Sequence, residues 1–148
     1  MTTLASLLRL MDHVPLSSRV RLGPEDSEAY AFANELRAAT LGGRLHAVWT
    51  HPANELAGMV KRSPSGKISV PPQVALARAL GLIRGSSDYL FLWQAGSAAL
   101  EFKSKDGSLT EGQKDFRTWC EHNGVPFYTV RSVAAGLAVL SGLGVLDQ

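Results

Sequence analysis

Apolar and polar positions change period several times along the chain, and each change marks an element. Leu4, Leu7, Leu8 and Met11 form an amphipathic opening piece, followed by Pro15, two serines and an Arg19-Val20-Arg21 patch ending at Gly23-Pro24. Residues 1–26 read as an N-terminal arm with no assignable chemistry, and residues 27–148 as the folded domain. Ser27 can cap a helix that continues through the helix-forming run Ala29 to Ala39 until Gly42-Gly43 stop it. Leu45 to Trp49 alternates as a strand does, and His51-Pro52-Ala53-Asn54-Glu55 breaks it. Ser63-Pro64-Ser65-Gly66 reads as a mobile loop, after which Pro71-Pro72 open a short helix, Val74 to Leu80, closed by Gly81.

Tyr89 to Trp93 and Ala98 to Lys103 are two strands joined through Gly96, a hairpin signal. Thr110 can then cap a helix with Gln113 as its reciprocal partner, and Leu109 can staple onto the first turn. That helix runs to about Asn123-Gly124 with Phe116, Trp119 and Cys120 on its apolar side. Pro126 to Val130 is a further strand, and Ser132 to Leu140 a closing helix with Val133, Leu137 and Leu140 inward. Helix, strand, helix, hairpin, helix, strand, helix predicts an α/β fold: a small mixed central sheet flanked by helices.

A hairpin turning through Ala95-Gly96, or through Gln94 to Ser97, would set Asp88 opposite Lys103 and Leu90 opposite Glu101. Tyr89, Phe91, Trp93, Ala98, Leu100 and Phe102 then share an apolar face that must be the core side. Asp88, Glu101 and Lys103 project from the other face. Two adjacent carboxylates in an apolar setting repel unless a cation lies between them. A divalent ion meets that need, and two carboxylates with a backbone carbonyl suit magnesium, which keeps several waters. A lysine beside them can orient or help deprotonate such a water, which is equipment for cutting a phosphodiester. Taken alone, however, the three residues read more simply as a salt bridge on a partly exposed sheet face.

Composition adds bounds. The 148 residues are 45% hydrophobic and 19% charged, enough for one core and too short for two ordinary domains. Apolar runs fall short of a membrane span, and the start lacks a basic region ahead of its apolar stretch, so neither a span nor a secretory signal is expected. The single cysteine, Cys120, cannot form an internal disulfide or complete a Cys-rich zinc site, and points to a reduced, cytoplasmic setting. Its place on an apolar helix face makes it a core residue. The net charge of +2 is far from that of a protein coating nucleic acid by charge alone. Yet residues 56–87 hold Lys61, Arg62, Lys67, Arg78 and Arg84 and no acid.

Gly85-Ser86-Ser87-Asp88-Tyr89-Leu90-Phe91, Ala99-Leu100-Glu101-Phe102-Lys103, Leu109-Thr110-Glu111-Gly112-Gln113 and Val130-Arg131-Ser132-Val133 together resemble the virus-type replication-repair nuclease domain, VRR-NUC, of the PD-(D/E)xK nuclease superfamily. Asn54-Glu55 ahead of a basic loop, and Ala79-Leu80-Gly81 ahead of the aspartate, extend the resemblance over about residues 27–142. It implies a metal-dependent DNA endonuclease of the kind that stands alone in phages and bacteria, with a role in DNA repair and an association with branched DNA and dimerisation.

Asp88 and Glu101 match the metal ligands, with the Phe102 carbonyl as a further one, for magnesium or manganese. Lys103 matches the catalytic lysine, and Gln113 the family's glutamine near the site, a role compatible with its capping box. Glu28 is the better match to the acid of the first helix, and Glu35 the second choice. Lys61, Arg62, Lys67, Arg78 and Arg84 would hold the phosphate backbone, and Lys105 is a phosphate contact or a surface lysine. Ser87 departs from the proline usual before the aspartate; proline supplies no ligand, so metal binding does not depend on it. His51, near Asn54-Glu55, can reach substrate or stand as a surface residue. The alternative function is a catalytically silent nuclease fold that binds DNA or protein.

Overall fold

A computed structural model describes residues 3–53, 56 and 59–148; the Asn54-Glu55 pair lies outside the described residues. The elements are α1 (Leu4–Leu10), α2 (Pro24–Leu41), β1 (Val48–Thr50), β2 (Lys61–Arg62), β3 (Ile68–Ser69), α3 (Pro72–Ala79), β4 (Tyr89–Trp93), β5 (Gly96–Phe102), α4 (Glu111–His122), β6 (Phe127–Val130) and α5 (Val133–Gly142). A four-stranded sheet runs β1-β4-β5-β6, antiparallel except for the parallel β5–β6 pair that α4 connects. β2 and β3 form a separate two-stranded sheet. Among the described residues no helix is long and apolar enough to cross a membrane.

The core lies on the predicted face of the hairpin. Phe32 of α2 is fully buried and centres it, with ring centroids 5.2 Å from Tyr89, 5.2 Å from Phe102 and 6.4 Å from Phe91. α5 closes over it at Gly136, where a Cβ would come within 2.8 Å of the Phe32 ring. On the opposite face α4 packs against β6, with Phe116 edge-on to Phe127 and Cys120 buried. Trp119, expected on that apolar side, is 61% exposed.

Several boundaries differ from expectation. α2 starts at Pro24, not after Ser27: proline at the first helical position has its backbone angle preset and needs no N–H partner, and Ser27 N–H already donates to the Gly23 carbonyl. The hairpin turns through Gln94-Ala95, so Tyr89 pairs with Leu100 and Trp93 with Gly96. Gly96 is a strand residue, paired with Trp93, and the Trp93 indole lies over it, 3.0 Å from where a Cβ would stand. Continuing that register sets Asp88 opposite Glu101, two residues from the expected Lys103; a slip of two leaves every side chain on its predicted face.

Leu45 bridges Leu146 of the C-terminal segment and β1 begins only at Val48. The segment read as a mobile loop is the turn of the β2–β3 hairpin, closed by Ser63 N–H to Lys67 O at 2.9 Å with Gly66 at φ 81°. Phe32→Ala should lower unfolding stability in urea by about 3–5 kcal/mol, the cost of a large cavity in a packed aromatic cluster. A loss below about 1 kcal/mol would show that the core is centred elsewhere.

Candidate active site

At the open end of the β4–β5 hairpin the backbone ladder gives way to side chains. Asp88 N–H donates to Glu101 Oε2 at 3.1 Å, and Phe102 N–H donates to Asp88 Oδ2 at 2.7 Å. Each carboxylate thus takes the place of a carbonyl acceptor on the opposing strand. Asp88 is half-buried and Glu101 is fully buried.

Lys103 Nζ lies 3.0 Å from Glu101 Oε1 and 3.3 Å from Glu25 Oε1, and Glu25 Oε2 accepts from Ser104 N–H at 3.2 Å. Gln113 Nε2 donates to Glu101 Oε1. Its other amide atom, Oε1, accepts from Thr110 N–H at 2.9 Å, closing the predicted capping box. The cap therefore decides which end of the amide faces Glu101, and one side chain serves both helix start and site.

The approach of α4 to the aspartate is set by glycine. Gly85 has φ 88°, and any Cβ there would run into the Gly112 backbone, so the loop before Asp88 lies directly on the first turn of α4. Arg131, part of the family-like motif, donates to the carbonyls of Ser104, Lys105 and Gly107 and clamps the turn after Lys103.

The acid of α2 beside Lys103 is Glu25. Glu28, the expected one, accepts from Val133 N–H at 2.8 Å and satisfies the first turn of α5. With the helix beginning at Pro24, Glu25 falls in the first turn at the site end, and Glu28 is carried about one turn further along the axis. Glu35 is exposed. Gly23-Pro24 was the available signal for Glu25, since Gly-Pro followed by two acids is a helix start.

Electrostatics follow the geometry. Burial pushes the Glu101 carboxyl up to about 7, and the Asp88 charge adds to it against the opposing effect of Lys103. Burial also raises Asp88 above the usual aspartate range. Burial of Lys103 favours its neutral form, but the Glu101 and Glu25 carboxylates outweigh this and its pKa rises. Lys103 is held as an ammonium, a donor and a positive charge. Among the described residues no group of three or more His, Cys, Asp or Glu side chains forms a metal cage. The two repelling carboxylates do fit a hard cation that keeps most of its waters.

A cavity of about 730 Å³ opens beside Asp88, Glu101, Gln113 and Glu25, and Arg78 and Arg84 line it. Lys61, Arg62 and Lys67 stand exposed on and beside the β2–β3 hairpin, outside that cavity's lining, and Lys105 is exposed in the clamped turn. His51 Nδ1 donates to the Asp88 backbone carbonyl, which places the ring beside the site. Cys120 is buried in the α4–β6 packing, and burial raises its thiol pKa.

Glu101 keeps its proton to about pH 7 when folded and releases it near the ordinary 4.5 when unfolded. The folded state therefore binds more protons between those values, and the stability Glu101 contributes falls as pH rises through that window, by up to about 1.4 kcal/mol per pH unit. Glu101→Gln should remove this component from urea-unfolding free energies measured from pH 4.5 to 8 in chelator. Superimposable pH profiles for the two proteins would exclude Glu101 as the titrating group.

No family model and no curated protein matches the chain. Among solved structures it is similar to a VRR-NUC domain protein, with a TM-score of 0.54 and 14% sequence identity over 86% of this chain and 94% of that one. At that identity the likeness is one of fold: the chain has a mixed-sheet, nuclease-like fold of the VRR-NUC kind.

Proposed function

We propose that this chain is a metal-dependent endonuclease that hydrolyses DNA phosphodiester bonds. The observation that carries the reading is the Asp88–Glu101 clasp with Lys103 and Gln113 on Glu101, beside a cavity that Arg78 and Arg84 line together with Glu111 and Asp115. Asp88, Glu101 and the Phe102 carbonyl would hold the ion; an antiparallel residue exchanges both backbone bonds with one neighbour, so this carbonyl is directed to the same side as the N–H that meets Asp88. Bound magnesium or manganese supplies charge against the phosphate oxygens and acidifies a coordinated water.

The protein's own groups do the rest. Gln113 holds Glu101 Oε1 in place. Lys103, kept charged by Glu101 and Glu25, orients the attacking water and offers a positive charge as negative charge builds on the phosphate. Arg78 and Arg84 grip phosphates within the cavity. Lys61, Arg62, Lys67 and Lys105 supply weaker, salt-sensitive contacts further along the backbone, so a near-neutral chain still holds DNA locally. One bound divalent ion would take the net charge from +2 to +4. The motif resemblance adds branched or junction DNA as the substrate class, repair as the setting and a two-fold dimer as the assembly.

One observation favours the silent alternative: Lys103 is already paired on both sides, as it would be in a purely structural cluster. Two measurements decide. Magnesium or manganese should raise the melting temperature of the wild type and not that of Asp88→Asn; no metal-linked rise favours the silent fold. Lys103→Ala and Asp88→Asn should each lower cleavage at least about 100-fold with DNA binding largely retained, and wild-type rates in either would refute the assignment.

The two acids of α2 should separate. Glu25→Gln should slow cleavage, whereas Glu28→Gln should leave the rate and cost on the order of 1 kcal/mol of stability, the scale of a lost helix cap. The reverse pattern in cleavage assays and melts would restore Glu28 to the site.

A further inference from the structure

A second cavity, of about 570 Å³, adjoins the first, since Glu25 and Asp88 line both. Its walls differ in kind from those of the first. Tyr30, Trp49, His51 and Tyr89 line it, and the Arg37 guanidinium stands 5.9 Å from the Trp49 ring centroid. Trp49 and His51 lie against Tyr89, with centroids 6.0 Å and 5.3 Å away, so the rings form one connected wall. Leu16, Val20 and Leu22 of the arm also line it.

The charges at its edge are mostly acidic. Glu25, Asp26 and Asp88 face Arg37 and His51 there; what sets this cavity apart from the first, where Glu111 and Asp115 also stand near Arg78 and Arg84, is its aromatic lining. A flat, neutral ring with amino donors is favoured: the aromatic walls stack on its faces and the carboxylates accept from its edge. The volume is in the range of small-ligand sites and holds a nucleoside with room to spare.

Resting on the reading of Asp88 and Glu101 as the place where the scissile phosphate sits, we infer that this cavity takes an unpaired nucleobase from the strand being cut. The phosphate would face the Asp88–Glu101 side and an adjoining base the aromatic side. His51 ties the two, because its ring stands in the wall while its Nδ1 holds the Asp88 carbonyl. A base still paired in duplex must first be unstacked, at a free-energy cost, whereas one at a flap, junction or single-stranded end is already free. Preference for DNA with an unpaired nucleotide at the cut then follows from this chain's own walls.

The test is equilibrium binding by fluorescence anisotropy in the Lys103→Ala background, with a single-stranded oligonucleotide and a blunt duplex, each in calcium buffer. Tyr30 is 38% exposed, so its replacement does not open the core. Tyr30→Ala should weaken single-strand binding about tenfold and leave duplex binding unchanged, and Tyr30→Phe should restore it. An abasic site walked along the oligonucleotide should cost a similar factor at one position with Tyr30 present and nothing further in Tyr30→Ala. Equal loss on both DNAs, no sensitive position, or no DNA binding would overturn the inference. Wild-type protein that shows the abasic effect but cleaves nothing with magnesium or manganese would leave the base site standing and remove the nuclease reading; cleavage without the abasic effect would do the opposite.

Discussion

The placement of two carboxylates against each other at the end of one hairpin is the constraint around which the rest of this molecule is arranged. Asp88 and Glu101 repel, and burial makes each harder to ionise. What holds them is reciprocal: each accepts a backbone N–H from the other's strand. The sheet ends there without orphaned donors because the carboxylates complete the ladder.

Three other elements converge to keep that arrangement. The first turn of α4 brings Gln113, oriented by its own capping box, and reaches the site only because Gly85 and Gly112 let two backbones touch. The first turn of α2 brings Glu25, which holds Lys103 and the Ser104 N–H together. Arg131 then fixes the turn that follows. α2 is thereby shared among three tasks along its length: Glu25 at the site, Glu28 on the start of α5, and Phe32 in the core.

This division has an energetic side. The Phe32 cluster supplies dispersion and burial, which do not depend on pH, while the site half of the molecule stores repulsion that a proton or a cation relieves. Stability and chemistry are therefore set by opposite faces of the same hairpin. The two cavities that share Glu25 and Asp88 carry the contrast outward, one lined by carboxylates with Arg78 and Arg84 and the other by aromatic residues.

Much of this was legible in the residues. Side chains of a strand alternate between faces, and any turn of even length joins Tyr89–Trp93 to Ala98–Lys103 with the same residues sharing a face, so a register error of two did not move Glu101 or Lys103 off the site face. The Thr110–Gln113 box is a three-residue relation that the chain satisfies with itself. Less was legible where the answer depends on what packs from elsewhere. Which glutamate of α2 meets Lys103 follows from where that helix starts and how Phe32 docks it. Trp119 looks apolar in sequence and is left outside because β6 meets only the Phe116–Cys120 edge of α4.

By itself, then, the sequence determined the sheet's two faces, the Thr110–Gln113 capping box and the D…E-x-K set, because these rest on periods of two and of three to four residues, enforced by covalent geometry. Tertiary structure alone decided the Asp88–Glu101 pairing, the choice of Glu25 and the aromatic cavity, because those bring together side chains from distant segments through packing that no local period encodes.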